Sequence, residues 1–353
     1  MGMRADSNSP SKHLRPKSQN VTSMKRPSKK VIIALTIALS MIVAGAVYML
    51  SPQPKPEILK EMYANADELE KQGKLPEAAQ AYKKAARKGD VRAQYKWGMC
   101  LWDGRGVTRD QEEAIKWFTR AAEGGNADAQ HKLGDCYYNG DGVPRDFKTA
   151  VKWYDMAAQQ GMPKAQFALA VCYEQGQGVE QSNVMAAAWY AKAALQGDVL
   201  AQYNLAVCYS QGQGFDNDYE QAFGWYKKAA EQGNVLAQYN LAVCYELGQG
   251  VRQDPTQAAL WHKKAAEQGN ARSQYNLGAY YEYGFGVEKN DSIAIEWYKK
   301  AAEQGYPEAQ YKLAICYKLG DGVERDRAQS DSLMKEAAEM GHVEAQDATG
   351  ITD

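Results

Sequence analysis

The sequence predicts an all-α solenoid of two-helix repeats, and three observations carry that prediction. From residue 93 onward the pair Ala-Gln recurs at 93, 129, 165, 201, 237, 309 and 345, with Ser273-Gln274 in the remaining slot, so the period is 36 residues without an insertion. Glycine pairs follow in phase from Gly104/Gly106 to Gly320/Gly322, and another glycine closes each unit at 89, 125, 161, 197, 233, 269, 305 and 341. Between these marks the apolar residues fall at helical spacing. A fixed period of this size means stacked supersecondary units, whereas the length of 353 residues alone would suggest two or three globular domains.

Ahead of the repeats the chain changes character twice. Residues 1–30 hold eight Lys/Arg (Arg4, Lys12, Arg15, Lys17, Lys25, Arg26, Lys29, Lys30) against Asp6 alone, a head of +7 that leaves −8 on the rest of a chain whose formal total is −1. A mildly acidic body without a basic stripe offers phosphate backbones little attraction, so no nucleic-acid partner is expected. Residues 31–50, Val31 to Leu50, carry no charge. At about 1.5 Å per residue they make roughly 30 Å of helix, enough to cross a bilayer core. The positive charge lies on the N-terminal side of this span. It therefore predicts a signal anchor in the cytoplasmic (inner) membrane, with the head inside and the repeats outside, in the periplasm. The alternative is a cleaved signal, because Ala44-Gly-Ala46 resembles a cleavage site and would release a secreted or periplasmic body. The apolar run continues to Leu50 and the head is long, which favours the anchor. Residues 51–56, Ser51-Pro-Gln-Pro-Lys-Pro56, read as a stiff extended spacer.

Each repeat reads as two helices. In the fourth, Ala201, Leu205, Cys208 and Tyr209 share one face of a helix over 199–211, and the glycine pair then permits a tight turn. Four residues beyond the second glycine stands Asp110, Asp146, Ser182, Asp218, Asp254, Asn290 or Asp326, each able to cap a helix N-terminus, and Pro255 takes the first helical position after its cap. The second helix shows Ala222, Trp225, Ala229 and Ala230 on its apolar side and stops at Gly233, where a left-handed cap fits. Such a pair cannot bury its own face, whereas stacked pairs share a continuous core.

The pattern Ala-x-x-Leu-(Ala/Gly)-x-x-Tyr-x-x-Gly-x-Gly-Val, followed by Asp, Ala, Trp-Tyr and Ala-Ala-Glu-x-Gly, resembles the Sel1-like repeat, a relative of the tetratricopeptide repeat. Seven consecutive copies occupy residues 91–341. The resemblance implies a right-handed superhelix that binds proteins. Residues 57–90, with a shorter turn, look more like a tetratricopeptide helix pair, and 342–353 hold only the start of another first helix, a partial C-terminal cap. All six cysteines, at 100, 136, 172, 208, 244 and 316, occupy one repeat position, with Tyr280 in the remaining slot. Equivalent positions of a solenoid lie about 8 to 10 Å or more apart, beyond the Cα reach of a disulfide, so these cysteines are expected as buried apolar side chains. This departs from the cysteine-rich secreted branch of the family, and the penicillin-related activities attributed to that branch do not carry over.

Little else in the sequence invites chemistry. The Gly-x-Gly turns follow helices rather than strands and recur seven times, which argues against a phosphate cradle. The histidines are His13, His131, His262 and His342, with no Cys/His zinc spacing; His131 and Asp135 are one turn apart but form a lone pair. The tryptophans at 117, 153, 189, 225, 261 and 297 read as core filling, and the Lys-Lys pairs at 227/228, 263/264 and 299/300 as a wet outer face. With no nucleophile and base set together, neither an enzyme nor a cofactor is expected.

Specificity should lie where repeats differ on an exposed face. With Leu205 set inward, 200, 203, 207 and 210 point away from it and 204 and 211 flank them. In the resembling tetratricopeptide family the first helices line a concave groove, which makes this face the expected partner site. Position 203 contributes Tyr203, Tyr239 and Tyr275, and position 204 contributes Asn204, Asn240 and Asn276, with Lys96, Lys132 and Lys312 toward the ends. Asparagine offers both a donor and an acceptor to an extended peptide, and the lysines suit acidic groups. The competing reading is that the tyrosines pack between helices and the asparagines face water. The sequence thus points to a membrane-anchored scaffold or adaptor for a protein or extended peptide.

Overall fold

A computed structural model describes residues 55–351. The expected head, the expected span at 31–50 and the spacer up to Pro54 lie outside the described residues. Among the described residues there are seventeen α-helices and no strand, and no helix is long and apolar enough to cross a membrane.

The described residues open with α1 (Pro56–Lys71) and α2 (Leu75–Arg87). Pro56 therefore belongs to the first turn of a helix rather than to the spacer, because a proline at that position removes no intrahelical hydrogen bond. Seven pairs follow: α3 (Val91–Asp103) and α4 (Gln111–Glu123), α5 (Ala127–Asn139) and α6 (Phe147–Gln159), α7 (Pro163–Gln175) and α8 (Asn183–Leu195), α9 (Val199–Gln211) and α10 (Tyr219–Glu231). They continue with α11 (Val235–Leu247) and α12 (Pro255–Glu267), α13 (Ala271–Tyr283) and α14 (Asp291–Glu303), α15 (Pro307–Leu319) and α16 (Arg327–Glu339), before the short α17 (Val343–Thr349). Each helix packs mainly on its neighbours in chain order, the arrangement of a solenoid.

The expected caps form. Asp218 accepts from the Gln221 amide, and the equivalent Asp, Ser or Asn does the same in every repeat. The first helices are capped as well, by Asp90, Asn126, Asp198, Asn234 and Asn270. Where Met162 and Tyr306 stand instead, Pro163 and Pro307 occupy the first helical position, so a donor that would go unpaired is simply absent. The glycine pair has two separate jobs. Gly248, at φ 67°, ends α11 in the left-handed region, while Gly250 lies so close to the backbone at Tyr219, in the preceding repeat, that a Cβ would collide with it.

The core differs from expectation in one respect. One position of the second helices is buried in every unit, the residue after the tryptophan where there is one: Tyr82, Phe118, Tyr154, Tyr190, Tyr226, His262 and Tyr298 form a column ended by Met334, while of the second-helix tryptophans only Trp117 and Trp261 are buried as expected. Trp189, Trp225 and Trp297 are only half-buried, and Trp189, Trp225, Trp261 and Trp297 lie beneath the ammonium groups of Lys192, Lys228, Lys264 and Lys300, 3.8, 3.7, 3.8 and 4.0 Å from the ring centroids. The outer lysines thus cover aromatic faces as well as meeting water.

The Ala-Gln marker has a specific cause. The buried amide of Gln202 donates from Nε2 to the Ala194 carbonyl at 3.2 Å and accepts at Oε1 from Gln232 at 2.8 Å. It therefore ties the end of α8 to the end of α10 through α9. The same pair of bonds recurs at Gln130, Gln166, Gln238 and Gln274. A buried polar side chain with donor and acceptor both satisfied specifies one stacking register, since a slip would strand it.

Candidate functional site

The first helices α9, α11 and α13 carry the expected tyrosines and asparagines at equivalent positions, and α3, α5 and α15 carry the expected lysines. Tyr203, Tyr239 and Tyr275 are half-buried, their rings leaning on the buried column: 6.1 Å to Tyr226, 5.9 Å to His262 and 5.6 Å to Tyr298 between centroids. Burial raises the pKa of Tyr203 and Tyr275 above the ordinary phenol value. Each ring is therefore fastened to the core at one edge and open at the other. Asn204, Asn240 and Asn276 are half-buried beside them. Asn204 makes no side-chain hydrogen bond among the described residues, Asn240 faces the Tyr203 hydroxyl of the preceding repeat, and Asn276 Nδ2 lies 3.4 Å from His262 Nε2.

The three lysines have partners within the chain. Lys96 bonds Glu70 at 2.9 Å, Lys312 bonds Glu282 at 2.7 Å, and Lys132 sits 4.3 Å from the centroid of the Trp102 ring. Desolvation acts against the Glu70 carboxylate, but Lys96, Tyr82 and Arg105 outweigh it and hold its pKa below the usual range. The ends of this face are accordingly closed by their own ion pairs.

A column of acceptors on the first helices was not read from the sequence. The buried ring hydroxyls of Tyr82, Tyr190 and Tyr298 donate to Glu70, Glu174 and Glu282 at 2.7, 2.9 and 2.7 Å, while Tyr226 meets Ser210 at 3.2 Å and His262 Nε2 lies 3.6 Å from Glu246. The sixteen-residue offset from Glu174 to Tyr190 recurs at Ser210, Glu246 and Glu282, and this spacing was the available signal.

A cavity of ≈ 450 Å³ opens on the same face between α5, α6, α7 and α9, lined by Asp135, Tyr138, Tyr154, Phe167, Val171 and Leu200. It lies where the asparagine column is interrupted by Ala168, the smallest residue at that position. At its rim His131 Nδ1 is 3.4 Å from Asp135 Oδ2, and Asp135 Oδ1 accepts from Tyr154 at 2.9 Å; burial holds the His131 pKa down despite that carboxylate. The pair is thus bound into the wall rather than standing free in solvent. Among the described residues no group of His, Cys, Asp and Glu is arranged to hold a metal ion. All six cysteines are free and buried, and burial pushes their thiols up to about 11, or about 12 for Cys136.

The Sel1 repeat family model matches residues 91–126, 127–162, 163–198, 199–234, 235–270, 271–306 and 307–342. Among solved structures, the chain is similar to a protective antigen with an SLR fold present in uropathogenic Escherichia coli strains, at 39% identity and a TM-score of 0.74, over 76% of this chain and 58% of that one. The chain thus spans less than two thirds of that relative's length. It is also similar to a Sel1 repeat protein from Oxalobacter formigenes, at 35% identity and a TM-score of 0.62, over 78% of this chain and 79% of the other. No curated protein matches the chain.

Proposed function

The chain belongs to the Sel1 repeat family, whose solenoids are generally protein-interaction scaffolds, and from that premise we propose that it is a membrane-anchored adaptor holding a partner polypeptide on its first-helix face. One contrast carries this reading. At the ends of the face Lys96 and Lys312 are paired with the chain's own carboxylates, whereas in the middle Leu200 and Leu236 stand half exposed and Asn204 keeps its hydrogen-bonding groups free. The tyrosines contribute rings already immobilised by the core, so contact with a partner costs little side-chain entropy.

Residues 31–50 supply the anchor and the prolines after them the spacing; the charge-free run and the basic head support this arrangement. A reporter active only outside the cytoplasm, fused after Pro56, is expected to be active, and activity of a reporter that works only inside would reverse the topology. Release by cleavage is the second reading, favoured by Ala44-Gly-Ala46, and Val47 as the mature N-terminus would establish it. The binding face is tested by placing a photoreactive residue at Val207 or Val243 in the groove and at Lys227 or Lys263 on the second helices, then irradiating intact cells. Adducts are expected from the groove positions, and adducts from the lysine positions alone would move the site to the other face.

A further inference from the structure

The first helices of the last three repeats end differently from those before them. Just ahead of the left-handed glycine the first four repeats place Asp103, Asn139, Gln175 and Gln211, whereas the fifth, sixth and seventh place Leu247, Tyr283 and Leu319. These three are 61%, 57% and 50% exposed, and in the turn of the sixth repeat Phe285 is 54% exposed with its ring 5.6 Å from that of Tyr283. The fold has no packing use for large apolar side chains at this position, since four repeats form the same helix end with polar ones. Exposed apolar residues that recur in neighbouring units mark a contact surface, where single ones would be ordinary.

The row has a centre. One leucine stands a repeat before the Tyr283/Phe285 pair and another a repeat after it. The charges beside the leucines change sign between the two sides: Glu246 and Arg252 of the fifth repeat correspond in position to Lys318 and Glu324 of the seventh. Between them Gln249 corresponds to Asp321, Val251 to Val323 and Gln253 to Arg325, so from 246 to 253 no like charges correspond. Arg252, Lys318 and Glu324 are exposed and form no ion pair among the described residues, and Glu246 has only His262 near it, at 3.6 Å.

Two identical chains that form a closed pair meet through a patch that is its own complement: if residue i of one touches j of the other, j touches i. A two-fold axis lying across the stack at the sixth repeat meets that condition here. It reverses the order of the repeats and keeps each repeat position opposite its equivalent. Leu247 then faces Leu319 of the second copy, Tyr283 and Phe285 face themselves, Glu246 faces Lys318 and Arg252 faces Glu324, each off-axis pair occurring twice. On the axis Glu288 meets its own copy with Lys289 beside it and adds nothing. A parallel pairing would set each repeat against its own copy and leave the reversal of sign without a role.

We propose that this turn edge is a contact between two copies of the chain, packed antiparallel about Phe285. None of Tyr203, Asn204, Tyr239, Asn240, Tyr275 and Asn276 takes part, so the adaptor reading stands whether or not the pair forms. The test uses the full chain in detergent, with single added cysteines and a short bismaleimide; the six native thiols are buried and compete little. Phe285→Cys is expected to crosslink to itself. Leu247→Cys and Leu319→Cys, carrying different tags, are expected to crosslink when mixed and not when alone. Sedimentation then measures the dimer without crosslinker. Phe285→Asp should abolish it with the unfolding midpoint retained. Arg252→Glu should weaken it about tenfold, because the pair occurs twice, and Glu324→Arg in the same chain should restore it. Crosslinking of Leu247→Cys alone, or none from Phe285→Cys, would overturn the antiparallel register. A dimer untouched by Phe285→Asp would place the contact elsewhere, residues 31–50 included, and failure of Glu324→Arg to restore it would overturn the charge pairing. A chain that stays monomeric overturns the proposal, and adducts of a photoreactive residue at position 285 with lipid or another protein in cells would then assign the row to that occupant.

Discussion

The central repeats at 199–270 and the last repeat at 307–342 share one pattern, but they complete it differently. In the centre, Gln202 and Gln238 each satisfy donor and acceptor, and the buried column is filled by Tyr226 and His262. In the last repeat Met340 stands where Gln232 and Gln268 stand, so the Gln310 Oε1 is buried with no partner and its Nε2 turns to Glu336 at 3.1 Å. Met334 replaces the ring, and Ser330 replaces the alanine equivalent to Ala222, its hydroxyl donating to the Ala314 carbonyl at 2.8 Å. Because each repeat touches only its neighbours, stability here is a chain of local interfaces. The centre carries full interfaces on both sides, and the end carries a depleted one.

The sharpest way to break this comparison is to empty the buried column at both places. Tyr226→Ala should cost about 3 to 5 kcal/mol, near the range for large aromatic truncations, while Met334→Ala should fall toward the lower part of the 2 to 5 kcal/mol range because that site is 9% exposed at the end of the stack. Denaturant unfolding compares them; equal losses would contradict the gradient. Next in size is the glutamine ladder. Gln238→Ala removes two hydrogen bonds, leaving the Ala230 carbonyl only the Gly233 amide and the Gln268 amide only its 3.4 Å bond to the Gly233 carbonyl, and should cost about 1 to 3 kcal/mol, whereas Gln310→Ala, which removes an already orphaned oxygen, should cost distinctly less. Restoring the ladder gives a smaller effect of opposite sign: Met340→Gln should supply the missing donor and stabilise by about 0.5 to 1.5 kcal/mol, seen as a higher unfolding midpoint. No gain would mean that Gln310 is satisfied in solution by some other donor.

The smallest effect concerns the thiols. Their folded pKa values lie above the ordinary value near 9, so native protein at pH 8 should alkylate slowly and denatured protein should take up label at all six cysteines. A raised folded pKa means that stability is fully present below the unfolded value and lost as pH climbs through the folded one, a window of about 9 to 11 for Cys208. Rapid native labelling at pH 8 would contradict the burial.

The comparison also shows which features were legible in the sequence. Local rules found the helix pairs: the second-helix caps, the glycines and the 3.6-residue spacing all act within a few residues. They missed the buried column because Trp225 and Tyr226 are adjacent and both aromatic; only Lys228, one turn on and over the indole, hinted that the tryptophan was half outside. Gln202 served as a repeat marker without a role, since its partners Ala194 and Gln232 lie in two other helices. On the first helices, the helical wheel set Tyr203 and Asn204 off the Leu205 face, and both are half-buried where Leu205 is buried. The engagement of Lys96 and Lys312 was hidden because Glu70 and Glu282 are 26 and 30 residues away.

Repetition builds the solenoid, and the open middle of its first-helix face is the surface proposed to bind the partner. Replacing Asn204, Asn240 and Asn276 together by alanine tests it, with photo-crosslinking from Val207 in cells and thermal unfolding measured on the same variant. Exposed or half-exposed polar changes shift stability by about 0.5 kcal/mol each, so the unfolding midpoint should move little while the crosslinked adduct is lost. An adduct formed at the wild-type level by this variant would contradict the claim.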